Sequence, residues 1–190
     1  LQVVALSATI PDPKTVADRF LSNGEIVRVD GGRSMEVVAP AGPDSSAEDA
    51  VLSYLDSLSV PEKVLVFTNS RKRADVLTAE LREPLAKLGY RAETHHGSLS
   101  RDQRTSTEEA VRDAERIVVF ATSTLEIGID IGDIDLVVLD GPAPDVKSLL
   151  QRMGRGNRRT DKTRVMPCAG SYLEAVIHSA MIQAADEGWL

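Results

Sequence analysis

Short runs of aliphatic and β-branched residues alternate along the chain with longer stretches whose apolar positions recur every three or four residues. That alternation predicts a parallel sheet with helices packed on it. The apolar runs place strands at Val3 to Leu6, Ile26 to Val29, Val64 to Thr68, Arg91 to Thr94, Ile117 to Ala121, Leu136 to Leu139 and Arg164 to Cys168. Helical spacing covers 13–22, 47–58, 71–88, 101–113, 145–153 and 171–187, the first opened by Pro13 behind a capping Asp12. Runs such as Val64-Leu65-Val66-Phe67 have no polar alternation, so these strands are expected to be buried on both faces. The fold class is α/β, a parallel sheet with helices on both faces.

The stretch from Asp30 to Ala47, with Gly31-Gly32, Pro40, Gly42 and Pro43, has no period and is expected to be a linker. It divides the chain into a β-α-β tail, residues 1–29, and a unit of five strands and their helices, residues 48–190. The tail is too small to hold a core, and its strand Val3 to Leu6 is expected to be disordered or to pair with a sheet edge. The chain opens Leu1-Gln2-Val3 with neither an initiator Met nor a basic leader, which suggests a piece of something longer.

Composition narrows the class. The 190 residues are 42% apolar and 27% charged, as in ordinary globular domains. A single cysteine, Cys168, cannot form an internal bridge, which favours a reducing, cytoplasmic setting. The longest apolar run is five residues, Ile117 to Ala121, far below the roughly 18 of a membrane span. The net charge of −7, taken alone, argues against a nucleic-acid partner.

Local chemistry complicates that last inference. In Gln151-Arg152-Met153-Gly154-Arg155-Gly156-Asn157-Arg158-Arg159, arginines recur every third residue with glycines between them. Guanidinium groups so spaced can converge beside a backbone that allows close approach, and planar cationic forks suit phosphate. A solvated basic surface is the plainer alternative. In Phe120-Ala121-Thr122-Ser123-Thr124-Leu125-Glu126-Ile127-Gly128-Ile129-Asp130, a buried strand delivers hydroxyls to its carboxyl end, where open α/β sheets bind ligands. Asp130, after Gly128, is spaced to meet a ribose hydroxyl or an arginine. A calcium loop is excluded there, because Gly132 falls at the third position and no glutamate at the twelfth. Val64 to Thr68 leads into Asn69-Ser70-Arg71, where Ser70 can cap a helix. His95-His96-Gly97 precedes the helix cap Ser100, with Gly97 in a tight turn. Adjacent histidines point apart, and only His178 and Cys168 remain as further soft ligands, so zinc is not expected and no metal site is assigned.

In this order the segments resemble the second half of a superfamily 2 helicase of the DEAD/DEAH-like group, and the wording is most similar to the large helicase-related (Lhr) branch. Ser7-Ala8-Thr9 matches motif III, Val64 to Arg71 motif IV, Gly97 with Gln103-Arg104 the element between IV and V, Ala121 to Ile131 motif V, and Gln151 to Arg158 motif VI. One departure is Gly156-Asn157-Arg158, which transposes the small residue usual in Lhr-like motif VI.

The resemblance implies a RecA-like sheet of the P-loop NTPase type that lacks the P-loop. It makes Arg155 and Arg158 arginine fingers on the γ-phosphate of an ATP held, with Mg2+, mainly by a first RecA-like domain of the same protein. Gln151 and Arg152 would support that nucleotide surface, with Gly128 and Asp130 at the nucleotide. Thr122, Ser70, Arg71 and Gly97 would touch the backbone of one DNA or RNA strand, and Ser7 and Thr9 would couple hydrolysis to domain movement. The sequence contains no Gly-x-x-x-x-Gly-Lys-Ser/Thr, so the fragment alone is expected to be inactive.

Two other readings compete: a passive single-strand backbone-binding module, and a generic nucleotide-binding or methyltransferase-like α/β domain. The latter needs a glycine-rich loop after its first strand, and Thr68-Asn69-Ser70-Arg71 is not one. The acidic total does not oppose a helicase, because a face carrying Arg152, Arg155, Arg158, Arg159, Lys162 and Arg164 can stay positive while carboxylates lie elsewhere.

Overall fold

The computed structural model describes residues 12–21, 25–27, 34–42, 45–126, 132–156 and 162–187. In chain order these form α1 (Pro13–Phe20), β1 (Ser34–Val37), α2 (Ala47–Asp56), β2 (Lys63–Thr68), α3 (Arg71–Lys87), β3 (Arg91–His95), α4 (Arg101–Asp113), β4 (Ile117–Ala121), a 3₁₀ turn (Ser123–Leu125), β5 (Leu136–Asp140), α5 (Val146–Met153), β6 (Lys162–Cys168) and α6 (Tyr172–Asp186). The six helices start where the sequence supplies caps. Asp12 accepts the Lys14 and Thr15 amide protons at 3.1 Å each, and Ser70 accepts that of Arg73 at 3.1 Å. Ser100 and Gln103 form a reciprocal capping box at the start of α4.

All strand pairs are parallel, in the order β1-β6-β5-β2-β4-β3. Successive residues of the central strands feed two cores. Val64, Val66, Val118, Phe120, Leu136 and Val138 face α2 and α3, through residues such as Val51, Leu77 and Leu85. Leu65, Phe67, Ile117, Val119, Val137 and Leu139 face Val111 of α4, Leu149 and Met153 of α5, and Met181 and Ile182 of α6. Burial on both faces accounts for the unbroken apolar runs. The polar edge strands, with Glu36 on β1 and Arg91 and Glu93 on β3, end the sheet without offering an apolar template to another chain.

Two sequence expectations change. Ser34–Val37, placed in a linker, is a strand paired with Lys162 to Val165 of β6. Its missing signal is physical: at an edge, with only Met35 partly buried, it carries no apolar run. Ile26 and Val27, expected to begin a strand, are exposed and have no regular structure, and Arg28 and Val29 lie outside the described residues. The strand Val3 to Leu6 lies outside them as well.

His178 on α6 is buried and donates from Nε2 to the Cys168 carbonyl oxygen at 3.2 Å. Burial pushes its pKa below the ordinary histidine value, despite that hydrogen bond and the nearby Glu174, and burial does the same to His95. Because the folded chain disfavours the protonated rings, their contribution to stability is complete above the unfolded value of about 6.5 and is lost as pH falls through the depressed folded values. The thermal midpoint is expected to fall between pH 7 and pH 5, and less steeply in a His178→Gln variant. Equal slopes in parent and variant would exclude His178 as a source.

Candidate functional site

The carboxyl ends of β2, β4 and β3, which are neighbours in the sheet, bring together four of the expected backbone-contacting residues. Ser70 and Arg71 follow β2 at the start of α3, and both are exposed. The Arg71 guanidinium donates from Nη1 to Ser98 Oγ at 2.7 Å, holding its side chain over the loop after β3. That loop is a turn closed by the Leu99 amide on the His96 carbonyl at 3.1 Å, as expected at Gly97. Gly97 lies beside the other two segments: a Cβ on it would stand in ordinary contact, 3.4 Å from Thr124 Cγ2 and 3.9 Å from Arg71 Nη2. Thr122 donates its amide proton to the His95 carbonyl at 3.2 Å, so the turn after β4 is fastened to the end of β3. Its side chain is at the margin of burial, 9% exposed, while Ser123 beside it is exposed.

The arginine motif divides. Arg152, expected with Arg155 on one cationic surface beside the nucleotide, is 1% exposed, and that expectation is corrected for it. Leu149, Arg152 and Met153 share the buried stripe of α5, which carries the guanidinium into the core rather than to the surface. There Nε donates to Glu126 Oε1 at 2.8 Å and Nη2 to Asn69 Oδ1 at 3.0 Å, and the group lies 5.3 Å from the centroid of the Phe67 ring. Arg152 therefore ties α5 to the end of β2 and to the turn after β4. Gly154 caps α5, and the Arg155 amide bonds the Arg152 carbonyl at 3.1 Å, setting Arg155 half-buried just past the helix. Gly156 then packs against the sheet, where a Cβ would lie 2.8 Å from Thr163 Cγ2 and 3.2 Å from Val137 Cγ2. Gln151 is half-buried on α5.

Arg164 is likewise withdrawn from the expected basic face. Its Nη1 donates to Glu62 at 2.7 Å and its guanidinium stacks 5.6 Å from the Tyr54 ring, a fastening between β6 and the region after α2. Ser7, Thr9, Gly128, Asp130, Arg158 and Arg159 lie outside the described residues.

Sequence reasoning missed Asn69, whose amide also donates to the Pro142 carbonyl at 2.7 Å, and Arg73, whose fork binds both Glu48 (2.8 and 3.0 Å) and Asp140 (2.9 and 3.1 Å). A signal was present for Arg73: an arginine one turn into a helix, on the side that must meet the carboxyl end of β5. Among the described residues no group of three or more His, Cys, Asp or Glu is placed to hold a metal ion. A groove of about 650 Å³ runs between β1, the end of β6 and α6, lined by Met35, Val37, Pro167, His178 and Ile182, and none of the expected site residues reaches it.

A parallel α/β sheet of this order, with helices on both faces, is of the RecA-like class. The model of the helicase conserved C-terminal domain matches residues 47–160, and the chain belongs to that family. It is 35% identical over 174 residues to the ATP-dependent helicase Lhr-Core of Methanocaldococcus jannaschii, covering 85% of this chain and 20% of that protein. It is also 40% identical over 116 residues to the ATP-dependent helicase Lhr-Core protein 2 of Thermococcus barophilus, covering 60% of this chain and 13% of that protein. Among solved structures, the Mycobacterium smegmatis helicase Lhr bound to ssDNA and AMP-PNP superposes with a TM-score of 0.78 at 29% identity, over 96% of this chain and 26% of that one. The chain thus spans about a fifth or less of these two curated relatives.

Proposed function

We propose that this chain is the second RecA-like domain of an ATP-dependent nucleic-acid helicase or translocase. It would grip the backbone of one DNA or RNA strand through Ser70, Arg71, Gly97 and Thr122 and present Arg155 and Arg158 to ATP. The observation that carries this reading is the gathering of those four residues at the ends of three adjacent strands, with the exposed Arg71 fork held in place by Ser98. Hydroxyls, amides and a guanidinium at strand ends bind phosphate without reading base identity.

ATP binding and hydrolysis supply the free energy for movement. In this reading the metal and the phosphate cradle belong to a first RecA-like domain, because the sequence contains no Gly-x-x-x-x-Gly-Lys-Ser/Thr, and this chain alone would not turn over ATP. Residues 1–29 would be the closing piece of that first domain, 30–47 the connection and 48–190 the second domain, with β1 lending the connection a strand of the second sheet. Gln151 lies on the nucleotide side in this reading, Gly128 and Asp130 meet the ribose or Arg158, and Ser7 and Thr9 couple the domains. Arg152 acts from beneath by holding α5.

Binding of the full-length protein to labelled single strands over a salt series tests the grip. Arg71→Ala is expected to weaken affinity about five- to tenfold and to lower the slope of log K against log salt by about 0.7, one single-strand phosphate. Thr122→Val should weaken affinity with the slope unchanged, because a hydroxyl releases no counterion. Parent-like behaviour in both variants would overturn the assignment. Strand displacement and ATP turnover on matched DNA, RNA and hybrid duplexes separate a motor from a passive binder.

A further inference from the structure

The paired histidines at the end of β3 have no part in that reading, yet both rings are buried and they diverge as adjacent strand residues must. His96 Nε2 meets Asp75 Oδ1 of α3 at 2.9 Å. His95 turns to the opposite face, with Nε2 3.0 Å from Glu108 Oε1 of α4 and Nδ1 3.1 Å from Thr124 Oγ1 in the turn after β4. The donors along this chain follow from its two ends. An ionised carboxylate only accepts, so Nε2 carries the proton that faces Glu108. Burial disfavours a second ring proton more than the Glu108 carboxylate favours it. In the neutral ring Nδ1 is therefore a lone pair, and Thr124 must donate its hydroxyl proton to it.

We infer that His95 is a positioning residue for nucleic-acid binding: it anchors the turn after β4 to α4 and accepts the hydrogen bond of the Thr124 hydroxyl, leaving Thr122 and Ser123 as the donors to a phosphate. The inference rests on the reading that this turn faces a nucleic-acid backbone. The anchorage is double, because the His95 carbonyl also accepts the Thr122 amide proton at 3.2 Å. Among the described residues neither Thr122 nor Ser123 finds an acceptor for its hydroxyl proton, whereas Thr124 does. Thr124 is thus a strut. Its methyl group faces the Gly97 turn, 3.4 Å from where a Cβ at residue 97 would lie.

The two amide isosteres of histidine divide its two bonds. In His95→Asn the side-chain oxygen falls near the Nδ1 position and can accept from Thr124, while the link to Glu108 is lost. In His95→Gln the amide reaches Glu108, and Thr124 loses its acceptor. Single-strand affinity and thermal midpoint of the full-length protein are measured for both variants, for Thr124→Val, and for Thr122→Val and Arg71→Ala. His95→Gln and Thr124→Val are expected to weaken binding about five- to tenfold, the worth of one hydrogen bond. His95→Asn is expected to stay within about twofold of the parent even where its midpoint falls as far as that of His95→Gln. A purely structural histidine predicts otherwise, with affinity following the midpoint and both amide variants failing together. That outcome, or full affinity in His95→Gln while Thr122→Val and Arg71→Ala are weakened, overturns the inference alone. Parent-like binding by Thr122→Val and Arg71→Ala would overturn the underlying reading as well.

Discussion

Replacing Arg155 by alanine in the full-length protein is expected to lower nucleic-acid-stimulated ATP turnover by about three orders of magnitude, the scale at which arginine fingers act in phosphoryl transfer. The transferring phosphoryl group carries its charge on three equatorial oxygens, and a permanently ionised planar fork stabilises that charge without having to be reorganised at the moment of reaction. The structure fixes the backbone of Arg155. Its backbone is closed onto Arg152 by a 3.1 Å hydrogen bond, and the next residue, Gly156, lies too close to Thr163 to admit a side chain without displacement. The deficit should fall on kcat, with the strand concentration for half-maximal stimulation little changed, because the residues proposed to bind the strand lie at the ends of β2, β3 and β4. Arg155→Lys should recover only a small part, since a compact ammonium cannot reproduce a bidentate contact. Steady-state ATP turnover against ATP and strand concentration checks the expectation, and turnover within threefold of the parent would remove Arg155 from the mechanism.

Arg152→Ala is expected to cost about 3–5 kcal/mol of folding stability, the penalty for leaving one member of a buried ion pair uncompensated. Arg152 is 1% and Glu126 8% exposed, so neither charge is solvated in place of the other. The loss also vacates the face of Phe67 and removes the Asn69 link between β2 and α5. Among the described residues the buried Nη1 of Arg152 has no hydrogen-bond partner. Denaturant titration measures the cost. The double variant Arg152→Met with Glu126→Leu, which removes both charges and keeps apolar volume, should recover much of it. A single-variant change below about 1 kcal/mol would contradict the burial seen here.

These two arginines also show what was legible in the sequence. Strands buried on both faces and capped helices announce themselves through composition, and β2, β4 and β5 and all six helices lie where period and caps place them. Position within the arginine motif is not announced by charge. Residues 152 and 155 are three apart, yet α5 ends between them, so the first belongs to a helix with a buried stripe and the second to the loop beyond. Leu149 and Met153 flank the position of Arg152 on that stripe, and the helical period was the signal that opposed a surface arginine. Beside a second histidine, His95 resembles a metal ligand by residue type alone. Its acceptor and donor, Glu108 and Thr124, stand 13 and 29 residues away and meet it only through the crossover from β3 to β4. The edge strand β1 escapes for a third reason. Val37 is half exposed, so β1 has no hydrophobic run to display, and its pairing is set by the backbone of β6.

That pairing has a consequence for synthesis. Ser34 to Val37 emerge before their partners Lys162 to Val165, which lie well over a hundred residues downstream. At ordinary translation rates the segment waits on the order of ten seconds before a template exists for it. β6 in turn docks on β5, so the edge closes only after the central strands are in place. A released chain ending short of residue 162 would therefore display a sheet with β5 as its open edge and the residues of β1 still accessible to protease.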